Sequence, residues 1–210
     1  MSGKQGTDRG RARRDPFALG LAAGPVAFVS AWAIGGSRMP GGYSPVHDAI
    51  SRIAAIHSPE RPLMTAGFLG YAVAVGVGSQ AVRRSPLAPA WTFLAINAAA
   101  TAAVAALPLD HSNAVDKLHA VAAATGYVSI SVAPLLTAKP LRRLGHRRAA
   151  AWGTAIGIVS GACLAATVVT DASGFFQRAG LTAGDVWLVA VAAALATGRF
   201  IPDQARPDHA

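Results

Sequence analysis

The chain has 210 residues, 52% hydrophobic and 14% charged, with a mean hydropathy of +0.38 and a formal net charge of +9. A soluble domain carries about 25% charged residues, and a soluble all-α reading would leave its charge-free helices almost no solvated face. A lone cysteine, Cys163, excludes an intramolecular disulfide framework.

A basic tail, residues 1–15, precedes the first apolar stretch. Six such stretches follow, at about 16–35, 62–82, 87–109, 118–138, 149–169 and 185–201, before a second tail at 202–210. Each approaches the roughly 20 residues that cross a hydrocarbon core of about 30 Å, and helices are the form that satisfies its own backbone there. The first stretch is longer than the apolar core of a cleaved signal peptide and reads as a retained anchor. Pro25 and Pro134 predict bends within spans. Gly20 with Gly24, and Gly153, Gly157 and Gly161, place small residues on one helix face and predict close packing, with the fifth span inside the bundle or at an interface. Trp32, Trp91, Trp152 and Trp187 fall near predicted span ends, as in an aromatic belt.

The spans are poor in charge. No Asp, Glu, Lys or Arg lies deep in the first five, whereas ion-coupled carriers and pumps use ionisable groups at mid-depth. The polar residues available there are Tyr71, Asn97, Thr125, Tyr127, Ser129 and Ser131. They predict hydrogen bonds between helices, or a path for a neutral substrate.

Orientation follows from the basic residues. One side collects Lys4, Arg9, Arg11, Arg13 and Arg14 of the first tail, Arg83 and Arg84, Lys139, Arg142, Arg143, Arg147 and Arg148, and finally Arg199 and Arg206. The other side has only Arg38, Arg52, Arg61, Lys117 and Arg178. The positive-inside rule places the crowded side, with both termini, in the cytoplasm. The high net charge is then a topology signal; it predicts contact of cytoplasmic Arg and Lys with anionic lipid and requires no nucleic acid.

Three outward connections carry the remaining polar residues. In the first, 36–61, Ser44 and Pro45 are good helix-starting residues, and Val46, Ile50, Ile53 and His57 recur at helical steps. This predicts an amphipathic outer helix at about 45–58 lying over the bundle or along the leaflet. In the second, 110-DHSNAVDKLHA-120, Asp116 and His119 share a helix face. Convergence of His57, Asp116 and His119 would allow a zinc ion to bind or a water to be activated, although no HExxH-type signature is present. Asp116 also suits an ordinary role in a first helical turn. The third connection, 171-DASGFFQRAGLTAGDVW-187, reads as a loop, with Thr182 and Asp185 starting the sixth helix.

Taken together, 40-PGGYSPVHDAIS-51, 60-ERPLMTAGFLGY-71, His119 and 174-GFFQRAGLTAGDVW-187 resemble the six-span membrane family called domain of unknown function 998. The resemblance extends from about Pro16 to Ile201. It implies a compact six-helix membrane unit, supplies no reaction, and makes Tyr43, Asp48, Ser51, Arg61, His119 and Arg178 the outer positions to test.

The resulting expectation is an all-α, polytopic six-helix bundle in the plasma membrane with both termini cytoplasmic. Its leading function is noncatalytic: an accessory protein that recognises a lipid or a partner through its outer loops. Tyr43, Asp48, Ser51, Arg61 and Arg178 are the recognition candidates. One alternative is a metal-assisted hydrolase using His57, Asp116 and His119, with zinc as the only cofactor considered. Another is a transporter of a small neutral or lipid-like substrate. A membrane-protein partner or a homodimer remains compatible with the small-residue faces.

Overall fold

A computed structural model describes residues 15–199. The basic run 9-RGRARR-14 and Arg206, which weigh in the charge count, lie outside the described residues, as does the expected span end at 201. The described residues form six long helices: α1 (Gly20–Arg38), α2 (Arg61–Arg83), α3 (Trp91–Ala106), α4 (Asn113–Arg143), α5 (Arg147–Val169) and α6 (Ser173–Ala196). Short 3₁₀ turns at Pro16–Leu19 and Ala88–Ala90 lead into α1 and α3. All six helical segments are long and apolar enough to cross a membrane.

Each helix packs on the next, and α1 closes the ring against α6. Lipid is as apolar as leucine, so association within a bilayer depends on close fit rather than on water release. Small residues provide that fit here. A Cβ at Gly24 would meet Val75 Cγ2 of α2 at 2.7 Å, and one at Gly78 would meet Leu21 of α1 at the same distance. On α5, a Cβ at Gly157 would meet Leu135 and the Ser131 carbonyl of α4 at 2.6–2.7 Å. The glycine face of α5 is therefore an internal seam. The rest of this helix is peripheral and the least buried of the six, with Ile158 and Val168 turned outward.

Two elements differ from the sequence reading. The segment expected as an amphipathic helix at 45–58 is a chain of turns around a five-residue 3₁₀ helix, Ile50–Ala54. Its carbonyls are engaged from outside: Phe175 N donates to Val46 O at 2.9 Å and Ser173 Oγ to His47 O at 2.8 Å. Ile50 N, the donor that an α-helical ladder would pair with Val46 O, goes instead to Gln177 Oε1 at 2.7 Å. In the three-residue turn, Ile50 and Ile53 share a face and enter the core, while Val46 and His57 remain exposed.

The sixth helix is also longer than expected and begins at Ser173 instead of near 185. Its glycines are packing positions, not loop residues: Gly180 meets Ser160 and Cys163 of α5, and Gly184 meets Ile130 of α4. Trp187, consequently, is a core residue at 2% exposure rather than part of an interfacial belt.

Candidate functional site

The turns between α1 and α2 form a lid, anchored to the first two turns of α6. Arg178 is the clasp. Its Nη1 donates to the carbonyls of Pro45, Asp48 and Gly174 at 2.8–2.9 Å, and its Nη2 donates to the Tyr43 hydroxyl. The guanidinium also lies over Trp32, 5.5 Å from the ring centre. Burial pushes the Tyr43 phenol above its ordinary value while Arg178 beside it pulls the other way. Gly174 allows the lid to descend, since a Cβ there would meet the Pro45 carbonyl at 2.7 Å. One turn on, Gln177 Oε1 accepts from Ile50 N at 2.7 Å, and its Nε2 donates to the Tyr127 hydroxyl of α4.

Beneath Ile50 and Ser51 is a small chamber of ≈ 40 Å³. Five of the six helices reach it, α5 being the exception. Phe28 comes from α1, Tyr71 from α2, Asn97 and Thr101 from α3, Gly126 and Tyr127 from α4, and Asp185 from α6. The Tyr71 hydroxyl donates to Asn97 Oδ1 at 2.9 Å, and Asn97 Nδ2 donates to Gly126 O at 2.9 Å. These bonds join three helices and spend most of the chamber's polar groups on one another.

Asp185 is different. It lies 12 residues from Ser173 and 11 from Ala196, at the middle of α6. At 1.5 Å per residue it is about 16–18 Å from either end. The residue is 5% exposed, and its Oδ2 is buried without a hydrogen-bond partner. Asp185 also borders a second, open groove of ≈ 370 Å³ between α1 and α6, with Pro25, Val29, Ser30, Thr182 and Val186 among its walls. The carboxyl thus stands between the chamber and a groove on the bundle's flank. An ionised carboxylate in this setting is costly unless a proton or a cationic group neutralises it.

The residues singled out from the sequence separate into several environments. Tyr43, Asp48 and Arg178 come together in the clasp, where Asp48 contributes its carbonyl to Arg178 and its carboxylate accepts from Ser44 N at 2.7 Å. Ser51 is buried in the chamber roof. Arg61 begins α2 and does not enter the clasp. His57, Asp116 and His119 are each otherwise placed. His57 is exposed, Asp116 Oδ1 accepts from Asp110 N at 3.1 Å, and His119 Nδ1 donates to Leu107 O at 2.6 Å with its Nε2 buried and unpartnered. No group of three His, Cys, Asp or Glu among the described residues is arranged to hold a metal ion. The zinc site therefore finds no donor set there.

Asp185 was expected at the start of the last helix and so counted as an end residue. The signal that places it at depth is the helical recurrence of Gly174, Gln177, Gly180, Gly184 and Leu188, all of them buried. A run of glycines and polar residues with that period makes a helix face even without large apolar side chains.

No curated protein and no solved structure matches the chain. One family does, described as proteins of unknown function, DUF998, and its match covers residues 22–194, from the first turn of α1 nearly to the end of α6. It takes in the lid, the chamber and Asp185 alike, and so this six-helix membrane protein belongs to the DUF998 family.

Proposed function

We propose that the protein binds a lipid-like amphiphile within the membrane, with the head group at Asp185 and the chain in the α1/α6 groove. The observation that carries this is the unpartnered oxygen of Asp185, a residue that borders both a small, largely apolar chamber and a flank groove. The chamber has room for a head of about two or three heavy atoms. A carboxyl favours a head that donates hydrogen bonds or carries positive charge, so a primary amine is the best match. Val26, Val29, Val186 and Val189 give the groove an apolar lining suited to a hydrocarbon chain. This merges the expected lipid-recognition role with the lipid-like substrate of the transporter reading, and moves recognition from the outer loops to mid-depth. We assign the basic end and both termini to the cytoplasm and the protein to the plasma membrane, on the Lys/Arg bias.

A long-chain alkylamine bearing a diazirine near its head provides the test. With the full-length protein in vesicles, photolysis is expected to label the α6 peptide around Thr182–Val189, and Asp185→Asn to reduce labelling about tenfold. Equal labelling by the matched carboxylic acid, or labelling unchanged by Asp185→Asn, overturns the proposal. Orientation is tested separately. Ser112 is exposed at the lid end, before α4, so Ser112→Cys is expected to react with an impermeant thiol reagent in intact cells. Reaction only after lysis reverses the assigned topology.

A further inference from the structure

The opposite end of the bundle carries a second, larger groove. It lies between the α4–α5 turn and the last turns of α6, has a volume of ≈ 780 Å³, and is open to the outside. That is within the roughly 300–1,000 Å³ of ligand-sized clefts. Its walls are apolar: Trp152 of α5, Trp187 and Val191 of α6, and Leu87. Its mouth is basic, with Arg147, Arg148 and Arg199 all lining it and all exposed. Among the described residues the ion pairs are Arg38–Glu60, Arg52–Asp110 and Arg84–Asp15, so these three arginines face no carboxylate there.

We infer that this groove binds one anionic phospholipid, its phosphate held by Arg147, Arg148 and Arg199 and an acyl chain laid against Trp152. Charge complementarity selects this occupant. The three cations stand where the chain emerges from the apolar part of the helices, at the level of a head group. Arginine holds phosphate through a planar set of donors, and indoles suit the membrane–water boundary. The apolar wall below the mouth distinguishes the site from simple attraction of a basic surface, because it accepts a chain as well as a charge. The Lys/Arg bias that predicts a cytoplasmic basic end would also place the groove in the leaflet bearing anionic lipid. The inference is independent of the Asp185 site.

Tryptophan quenching by lipids with brominated chains tests it, using the full chain in mixed vesicles. Brominated phosphatidylglycerol in a phosphatidylcholine background is compared with the reverse arrangement. Phosphatidylglycerol is expected to be preferred by about fivefold or more, the contribution of a single unshielded arginine. Trp152→Phe should remove most of the preferential quenching. R147Q/R148Q/R199Q should abolish the preference, whereas R142Q/R143Q, altering exposed arginines outside the groove, should leave it in place. Excess inorganic phosphate should not compete, because it lacks a chain. Equal quenching by the two lipids overturns the inference, as does an equal loss from both sets of arginine substitutions. Deletion of residues 202–210 addresses the chain's own tail as occupant: an unchanged preference supports the lipid, and a preference that emerges only after deletion overturns lipid binding in the intact protein.

Discussion

Arg178 and Asp185 stand seven residues apart on α6, two helical turns along similar faces, yet they are treated in opposite ways. Arg178 has four acceptors around its two terminal nitrogens, drawn from the lid and its own helix, with only its Nε left unpartnered. Asp185 has an oxygen with no acceptor or donor near enough to bond, although it lies deeper. A half-buried charge surrounded by internal partners holds a structure together. A buried carboxyl left with a vacant oxygen beside a cavity is a place for something to bind. The lid end, where most of the polar residues gather, spends most of them on its own construction, although Arg178 Nε and His119 Nε2 are buried there without partners; among the described residues, Asp185 Oδ2 is the unpartnered atom whose residue borders both the chamber and the flank groove.

The comparison can be broken by substitution. Removing the clasp should have the largest effect: Arg178→Ala leaves the Pro45 and Asp48 carbonyls without their donor and should lower stability in detergent by about 3 kcal/mol. Arg178→Lys should recover only part of this, since an ammonium cannot reproduce the planar set of donors. A melt unchanged by Arg178→Ala would show that the lid is held by something else. Tyr71→Phe should cost about 1 kcal/mol by the same measurement, because only one bond to Asn97 is lost and partners can be replaced in a membrane bundle. Asp185→Asn should have the smallest effect on the melt, within about 1 kcal/mol of the parent, while it removes amine labelling. A large destabilisation by Asp185→Asn would reveal a structural partner and dissolve the contrast.

Much of the architecture was legible in the chain because membrane crossing is a local property. Apolar length and the need to satisfy the backbone identify a spanning helix without knowledge of its neighbours. The count of six spanning helices is legible this way. The start of the sixth is not, because Gly174, Gln177, Arg178, Gly180 and Gly184 lower the hydropathy of a segment that is nevertheless helical. Their suitability depends on what they meet: the lid at Gly174, Ser160 at Gly180 and Ile130 at Gly184. The lid was misread for the related reason that its apolar residues repeat as in an α-helix while α6 engages its carbonyls and takes the Ile50 N–H. His57, Asp116 and His119 illustrate the same limit for chemistry. Residue type and spacing nominated them as one group, but each is turned to its own surroundings.

By itself, then, the sequence determined that this is an all-α membrane protein, how its charges alternate between the two ends, and which family it resembles. The first two follow from composition and from apolar length within single segments; the resemblance rests on short motifs such as 40-PGGYSPVHDAIS-51 and 174-GFFQRAGLTAGDVW-187. Only the tertiary structure decided that Arg178 is enclosed by lid carbonyls, that Asp185 lies at mid-depth between a chamber and a groove, and that three arginines meet at one apolar cleft. Partners for a polar atom come from other helices, and no periodicity along one helix specifies them.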